Sequence, residues 1–315
     1  MKKHFRLLSL LSLLSYLSHI QSRQGIIPMA GLGTRLLPIT KEVPKSMIPV
    51  IDKPALQLVV EEALRSEITD FCFIVNEDET DTIKQHFSHD FDLEATLKDR
   101  KKDHLLNPLN AVIEQAQFAY IPQLEPLGSG HAVLMGESFI NPGDSFAVMY
   151  PDDIIEGEDT HMARLFELSK QYNASIITVE EITREQASLY AVVTPKEFLS
   201  DDVFEVANIV EKPKSTDQDI CFSQIGRFVF TYDIFEALKA IGPCDDGEIQ
   251  LTEAVKYMVR QGKRVLACRL GTKRHDTGNI RSYLKTIVSL GLHHPLYREM
   301  VLEIFEQESN IQQNN

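Results

Sequence analysis

Short apolar runs alternate with amphipathic stretches along most of the chain. Runs such as DFCFIVN (70–76), ASIITVEEI (174–182) and RVLACRL (264–270) are rich in the β-branched and aromatic residues typical of strands. Between them, HMARLFELSKQY (161–172) repeats apolar residues at the spacing of one helix face. This alternation predicts an α/β protein.

The same patterns define the remaining elements. The other predicted strands are GIIPMA (25–30), SFAVMYPDD (145–153), VFEVANIVEKPK (203–214) and IGRFVF (225–230). The other predicted helices are PALQLVVEEALRSEI (54–68), ETDTIKQHF (79–87), FDLEATLKDRKKDHLL (91–106), TYDIFEALKAI (231–241) and EIQLTEAVKYMVRQG (248–262). The sequence shows no internal repeat and no low-complexity linker. We therefore expect one domain, at about 25–302, followed by a flexible Gln- and Asn-rich tail at 303–315.

The first two dozen residues (1–24) form a separate segment. A charged start, MKKHFR, precedes the apolar stretch LLSLLSLLSYLSHI, as in a secretory signal. The stretch is too short and too interrupted by serine to span a bilayer, and no A-x-A-like cleavage site follows. A signal, an appended amphipathic helix and a stretch translated upstream of the true start all remain open.

Composition narrows the functional classes. The net charge of -14 and the pI of about 5.2 argue against sequence-independent binding to nucleic acid or to an anionic membrane. The four cysteines have no CxxC spacing, so neither a zinc site nor a disulfide framework is indicated. These observations favour a reducing compartment, and we expect a cytoplasmic protein.

A glycine loop follows the first predicted strand. The stretch from Gly31 to Leu36 begins like a dinucleotide fingerprint, but Leu36 stands where the third glycine is needed, and Pro38 and Pro44 prevent the long helix that the motif requires. What remains is a loop whose N–H groups can approach an anion, followed by the cations Arg35 and Lys45. The alternative is an ordinary turn that carries solvated charges.

A series of motifs along the chain favours the anion-binding loop over the ordinary turn. The motifs are GLGTRLLPITKEVPKSMIPVIDKP, FDLEATLKDRKKDHLL, PLGSGHAVL, YPDD, VEKPK, IGRFVF, GEIQLTEA and RHDTGN. In this order the series resembles the sugar-nucleotide pyrophosphorylases, and the charged helix resembles their uridylyltransferase branch. The resemblance covers about 25–302. It implies a Rossmann-like three-layer α/β/α nucleotidyltransferase fold with a mixed, mainly parallel sheet.

The resemblance also implies an activity. Such enzymes transfer the uridylyl group of UTP to glucose 1-phosphate with Mg²⁺, giving UDP-glucose and pyrophosphate. We expect a homo-oligomer that binds no nucleic acid and has no membrane span. A thymidylyltransferase, a non-catalytic sugar-nucleotide-binding regulator and an NAD-dependent oxidoreductase are the alternatives, and Leu36 with the prolines disfavours the last.

The resemblance assigns roles to individual residues. The implied catalytic cations are Arg35 on the departing pyrophosphate, Lys45 on the α-phosphate and Lys212 on the sugar phosphate. The implied nucleotide-binding residues are Ala30, Gly31, Gly33, Gln123 and Gly128, of which Gln123 and Gly128 contact the uracil edge. The implied sugar-binding residues are Asp153, Ala191, Glu211 and Gly226. The implied magnesium ligands are Asp152 and Asp276.

Some nearby residues receive a different interpretation. Lys41 is expected to be a solvated charge, and His131 is expected to pack its helix rather than act as a base. Ser46 and Ala191 depart from the family pattern, which usually has glutamate and glycine there. Neither departure removes a residue assigned to metal or phosphate, so activity is still expected.

Overall fold

The computed structural model describes residues 22–157, 160–215, 219–245 and 247–313. The predicted signal-like or appended segment therefore lies outside the described residues up to position 21. The first strand begins at Arg23, just before the expected start of the domain.

Thirteen strands are formed by the described residues. They are β1 (Arg23–Pro28), β2 (Pro49–Val50), β3 (Lys53–Pro54), β4 (Ile68–Val75), β5 (Gln117–Pro122), β6 (Phe146–Met149), β7 (Asp153–Ile155), β8 (Ser175–Thr183), β9 (Ala191–Phe198), β10 (Val203–Glu211), β11 (Ile220–Phe230), β12 (Val265–Arg269) and β13 (Arg274–Asp276).

Ten α-helices lie in the same described ranges. They are α1 (Ala55–Arg65), α2 (Thr80–His86), α3 (Phe91–Asp99), α4 (Asn107–Gln115), α5 (Ser129–Met135), α6 (His161–Tyr172), α7 (Asp233–Ala240), α8 (Leu251–Arg260), α9 (Ile280–His293) and α10 (Arg298–Gln313). None of these described helices is long and apolar enough to cross a membrane.

Nine strands form the central sheet, in the order β5-β4-β1-β6-β11-β8-β12-β10-β9. The half from β5 to β6 is parallel, and β8 with β12 is also parallel. The other neighbours in this order pair antiparallel. The sheet is mixed, as expected, but it is mainly parallel only in its first half.

Helices cover both faces of this sheet. Along β4, Cys72 and Ile74 enter one apolar cluster with helices α5, α7 and α8. Phe71, Phe73 and Val75 point the other way and enter a second cluster with α1 and α6. Because successive strand residues face opposite sides, one apolar strand supplies both cores. The fold is therefore a three-layer α/β/α sandwich.

The prediction of one long charged helix at 91–106 is wrong. Helix α3 ends at Asp99, and Lys101 adopts a left-handed conformation with φ of 58°. The Lys102 N–H then donates to the Leu97 carbonyl at 2.8 Å, and the Lys101 N–H donates to the Lys98 carbonyl at 3.0 Å. These are the two bonds of a Schellman C-cap. Glycine normally marks this cap, so a lysine in its place hides the helix end from sequence analysis.

The last helix extends into the predicted tail. Helix α10 covers most of 303–315, and the flexibility that the sequence predicted there stays a prediction. Gly291 of α9 allows close packing against it, because a Cβ there would lie 3.3 Å from Val301 Cγ2. The division of the chain into 1–24, 25–302 and 303–315 otherwise stays a prediction.

Candidate active site

A cleft of about 460 Å³ lies beyond the carboxyl ends of the parallel strands. Strand β1 leads into the glycine loop, β5 leads into Gln123, and β6 leads into the Tyr150–Asp153 turn. In open α/β sheets ligands bind at this edge, because loops from neighbouring parallel strands meet there. The predicted site residues that line the cleft are Ala30, Gly31, Gly33, Arg35, Lys45, Gln123, Gly128 and Asp152.

The glycine loop exposes its backbone to the cleft. Gly33 has a φ of 61°, and a Cβ there would lie 3.0 Å from Thr40 Cγ2 and 3.3 Å from Lys45 Cβ. The Thr40 hydroxyl donates to the Gly33 carbonyl at 2.9 Å and holds the loop's curvature. Among the described residues, no backbone acceptor receives the N–H groups of Gly31 or Gly33. Such N–H groups can bind an anion.

The cations of this loop are not equivalent. Lys45 Nζ forms an ion pair with Asp152 across the cleft, and its side chain is only 21% exposed. Arg35 is exposed and lines the cleft. Lys41 is 77% exposed and contacts only its neighbour Glu42, at 3.5 Å, among the described ion pairs. The structure thus separates Lys45 and Arg35, which border the cleft, from Lys41, which is a solvated charge as expected.

The two predicted metal ligands lie together. Strands β7 and β13 pair antiparallel with Asp276 opposite Asp153. The Thr277 N–H donates to the Asp152 carbonyl at 2.8 Å. A Cβ built on Gly278 would lie 2.9 Å from Asp276 Oδ1 and 3.1 Å from Asp152 Oδ2. The two carboxylates therefore border one small space that only a glycine leaves open.

Charge around this space favours the ionised form of Asp152. Burial raises the pKa of Asp152, but Lys45 and Arg35 outweigh it and hold that pKa below its usual value. The Gly278 N–H donates to Asp276 Oδ1 at 2.6 Å. No group of three or more His, Cys, Asp or Glu side chains in the described part of the chain could hold a metal. A metal ion here would complete its coordination with substrate oxygens and water, as Mg²⁺ does in nucleotide sites.

Asp153 has two protein partners. Its Oδ2 accepts from the Gly226 N–H at 2.7 Å, and its Oδ1 accepts from Arg274 Nη1 at 2.7 Å. Gly226 is required at this contact, because a Cβ there would lie 2.5 Å from Tyr150 Cβ. Both residues therefore serve the packing of the site, and their predicted contact with sugar stays a prediction.

Arg227 lies beneath the acidic turn, with no solvent exposure. Its Nε and Nη2 donate to the two carboxylate oxygens of Glu62, at 2.8 and 2.7 Å. Nη1 donates to the carbonyls of Tyr150 and Gly226, and Nη2 also donates to the carbonyl of Asp153. All five N–H groups are used, which is the condition under which a buried guanidinium is tolerated. Arg227 thereby holds the backbone on both sides of Asp152.

The predicted sugar side lies next to this turn, outside the lining of the cleft. Glu211 Oε2 accepts from the Thr252 hydroxyl at 3.1 Å, and Glu211 Oε1 lies 3.4 Å from Lys212 Nζ. Lys212 has a φ of 42°, which turns the chain at the end of β10. Burial raises the pKa of Tyr150, and the nearby carboxylates, Glu211 among them, raise it further. Glu211 is therefore close to the cleft wall.

Gln123 and Gly128, which are predicted to contact the uracil edge, lie within hydrogen-bonding distance of each other. The Gln123 side-chain amide donates to His131 Nδ1 at 2.7 Å and, more weakly, to the Gly128 carbonyl at 3.4 Å. His131, which was expected to pack its helix rather than act as a base, therefore also contacts a residue of the cleft.

The two departures from the family pattern are both buried. The Ser46 hydroxyl lies 3.8 Å from Met29 Sδ, and the neighbouring Lys45 pairs with Asp152. Ala191 is 7% exposed and begins β9. Its backbone is paired with Glu211 of β10.

Sequence analysis assigned no role in the site to three residues: Arg227, Gly278 and His131. Each lies inside a recognised motif, IGRFVF, RHDTGN or GHAVL. An arginine within an otherwise apolar strand was the one available signal, because a buried cation requires partners. Nothing in the local sequence indicates where those partners lie.

Comparison with known proteins places this cleft in context. Residues 24–291 match the family model described as nucleotidyl transferase. A UTP–glucose-1-phosphate uridylyltransferase of Bacillus subtilis is 36% identical over 284 residues, which are 90% of this chain and 94% of that protein. The described fold is similar to a UTP-bound UGPase of Acinetobacter baumannii, with a TM-score of 0.81, 30% identity and coverage of 90% and 98%. It is also similar to a UDP-glucose pyrophosphorylase complexed with UDP-glucose, with a TM-score of 0.76, 32% identity and coverage of 85% and 98%.

Proposed function

We propose that this chain, which belongs to the nucleotidyl transferase family, transfers the uridylyl group of UTP to glucose 1-phosphate. The products are UDP-glucose and pyrophosphate. The observation that carries this proposal is a cleft lined by open backbone N–H groups, by the cations Arg35 and Lys45 and by Asp152, with Asp276 next to Asp152 across the space beside Gly278.

Charge explains why a cleft of this kind is needed. An oxygen of the sugar phosphate attacks the α-phosphorus, and the bond from that phosphorus to the departing pyrophosphate breaks. Two like unit charges ~4 Å apart repel by about 4 kcal/mol at an effective dielectric of 20. The chain supplies no covalent nucleophile in this scheme, and its task is to hold two polyanions in line.

The glycine loop would bind the nucleotide phosphates. The N–H groups of Gly31 and Gly33 approach the triphosphate, Lys45 neutralises the α-phosphate, and Arg35 stabilises charge on the leaving pyrophosphate. Substrate phosphate would take Lys45 from Asp152, which frees that carboxylate for a cation. Support for this exchange is the Lys45–Asp152 ion pair, which spans the cleft that the triphosphate would enter.

Magnesium is the divalent ion that fits the donors. Asp152 and Asp276 are hard oxygen ligands at one small space, and Mg²⁺ commonly takes one or two carboxylates together with substrate phosphate oxygens. The ion would neutralise phosphate charge during transfer. On this proposal Lys212 binds the sugar phosphate, and Glu211 accepts hydrogen bonds from sugar hydroxyls.

A cytoplasmic location and a homo-oligomeric state belong to the same proposal. None of the four cysteines, all within the described ranges, forms a disulfide, which suits a reducing compartment. Large apolar side chains are exposed on the last two helices, among them Leu284 at 62% and Ile304 at 51%. Light scattering and fractionation of cells test these two statements.

The direct test of the activity is pyrophosphate release from UTP and glucose 1-phosphate with Mg²⁺. We expect release that depends on both substrates and is abolished by a chelator. Thymidine triphosphate and galactose 1-phosphate, run in parallel, measure the preference for uracil and glucose. Preferential turnover of thymidine triphosphate would replace the proposal by the thymidylyltransferase alternative, and binding of UDP-glucose without turnover would replace it by the regulator.

A further inference from the structure

The Gln123 side-chain amide lies in the cleft wall, where its nitrogen has hydrogen-bond partners and its oxygen has none among the described residues. The residue is 5% exposed, and its Nε2 donates to His131 Nδ1 at 2.7 Å and to the Gly128 carbonyl at 3.4 Å. A primary amide nitrogen has two N–H groups, so both are used. Within the described residues, no donor hydrogen-bonds to Gln123 Oε1.

The Gly128 carbonyl decides which way the amide faces, and His131 supplies the shorter contact that holds it there. The opposite orientation would place Oε1 against the Gly128 carbonyl, and two acceptors cannot share a hydrogen. With Nε2 facing inward, His131 must accept at Nδ1, which requires the neutral ring to carry its proton on Nε2. His131 Nδ1 makes the shorter and stronger of the two contacts.

Backbone conformation places the Gly128 carbonyl. Gly128 has a φ of 94°, and a Cβ there would lie 2.8 Å from Glu248 Cβ and 2.9 Å from the Ile249 carbonyl oxygen. Only glycine fits, and it immediately precedes α5, whose first turn carries His131. Residues 128–131 thus supply both hydrogen-bond partners of the Gln123 amide.

We infer that His131 is a positioning residue that immobilises the Gln123 amide in the orientation set by the Gly128 carbonyl, with its acceptor toward the base, and that this selects uracil against cytosine. The inference deepens the proposed function and rests on it, because it takes Gln123 to face the nucleotide base. It assigns the preference for uracil over cytosine to the contact between His131 and Gln123, in which His131 itself does not touch the base.

The chemistry follows from the pyrimidine edges. Uracil and thymine carry an N–H donor at N3, whereas cytosine carries a bare acceptor there. An amide held with Oε1 outward accepts from the uracil N3–H and opposes the cytosine N3 acceptor. A freely rotating amide could present either end and would suit both bases. Mispairing of one buried hydrogen bond changes affinity by about tenfold or more.

A matched pair of variants tests the inference. His131→Asn keeps an acceptor near the Nδ1 position, because Asn Oδ1 and His Nδ1 are each bonded to Cγ. His131→Leu has no acceptor. The Kd values of UTP, thymidine triphosphate and CTP are measured by calorimetry for the full chain and both variants, so the readout does not require turnover. Thermal unfolding confirms that each variant is folded.

We expect the ratio of CTP to UTP Kd values to fall about tenfold or more in His131→Leu and to stay near its original value in His131→Asn. The preference for UTP over thymidine triphosphate should move little, since both bases have an N3–H. An unchanged CTP to UTP ratio in folded His131→Leu would overturn the inference while leaving uridylyl transfer intact. A wild-type chain that binds UTP no better than CTP would overturn it too, and absence of turnover with any nucleotide would count against the proposed function alone.

Discussion

The two walls of the cleft are held in opposite ways. We call residues 29–46 the glycine wall, and we call residues 150–152 together with the paired segments 153–155 and 274–278 behind them the acidic wall. On the glycine wall, Arg35 is exposed and the N–H groups of Gly31 and Gly33 have no backbone acceptor in the described chain. On the acidic wall, the guanidinium groups of Arg227 and Arg274 hold the backbone and side chains in place.

The difference follows from what each wall must meet. Carboxylates that share a small space repel each other, so their positions must be imposed by interactions that exist before substrate arrives. On the proposed function, Arg35 and the N–H groups of Gly31 and Gly33 would find their partners on the substrate, and Lys45 would exchange its ion pair with Asp152 for substrate phosphate. The interactions that hold the acidic wall are therefore formed when the domain folds, whereas those of the glycine wall would be completed when substrate binds.

The largest expected effect is on stability, from breaking the support of the acidic wall. Arg227→Met should lower the free energy of unfolding by about 3–5 kcal/mol, because Glu62 would be left buried without its partner. Chemical denaturation measures this loss.

Two controls accompany that variant. Arg184→Ala removes an exposed arginine that pairs with Asp219 at 2.7 Å, and it should cost at most about 1 kcal/mol. The double variant Arg227→Met with Glu62→Met should recover part of the loss. Equal costs for Arg227→Met and Arg184→Ala would remove the claimed difference between the walls.

The next effect is on turnover and tests the glycine wall. Lys45→Ala should slow turnover by roughly 10²–10³-fold, the loss typical of one electrostatic partner of the transition state. Asp276→Ala should have a similar effect from the opposite wall. Lys41→Ala is the matched control, since this exposed lysine belongs to the same loop, and its turnover should stay near that of the wild type. Wild-type turnover in Lys45→Ala would refute its assigned role.

A smaller effect is expected at the space between the carboxylates. Gly278→Ala would put a methyl group about 3 Å from an oxygen of each aspartate. We expect the Mg²⁺ concentration for half-maximal activity to rise roughly 10–100-fold, the range seen when the surroundings of a metal ligand are disturbed. Gly271→Ala, where a Cβ meets nothing within 4 Å, is the control and should leave that concentration unchanged. The same metal requirement in both variants would exclude this space as the ion site.

The smallest effect concerns exchange of backbone amides. At a UTP concentration about ten times its Kd, the amides of 31–35 should exchange up to roughly tenfold more slowly, because bound phosphate protects them. Amides of 153–155 should change little, since β7 is already paired with β13. Hydrogen exchange followed by mass spectrometry compares the two segments. Equal protection of both would show that the acidic wall is also completed by substrate.

Much of the fold could be predicted because local patterns match the elements. Helix α6 and strand β8 lie where periodicity predicts them. The break at Lys101 could not be predicted, since a lysine in the left-handed conformation has no sequence signal. The parallel pairing in the first half of the sheet was expected, whereas the antiparallel pairs of the second half depend on long-range pairing that alternation alone does not define.

The sequence by itself determined the set of reacting groups: a glycine loop with two cations, a strand ending in acids, and the order of motifs shared with nucleotidyl transferases. Only the tertiary structure decided how these groups meet. Asp276 reaches Asp152 through the pairing of two three-residue strands, and Arg227 reaches Glu62 across 165 positions of chain. Such contacts are chosen by the packing of the whole sheet and its helices, because burial of a charge is tolerated only where the fold supplies partners. No spacing along the chain encodes that meeting.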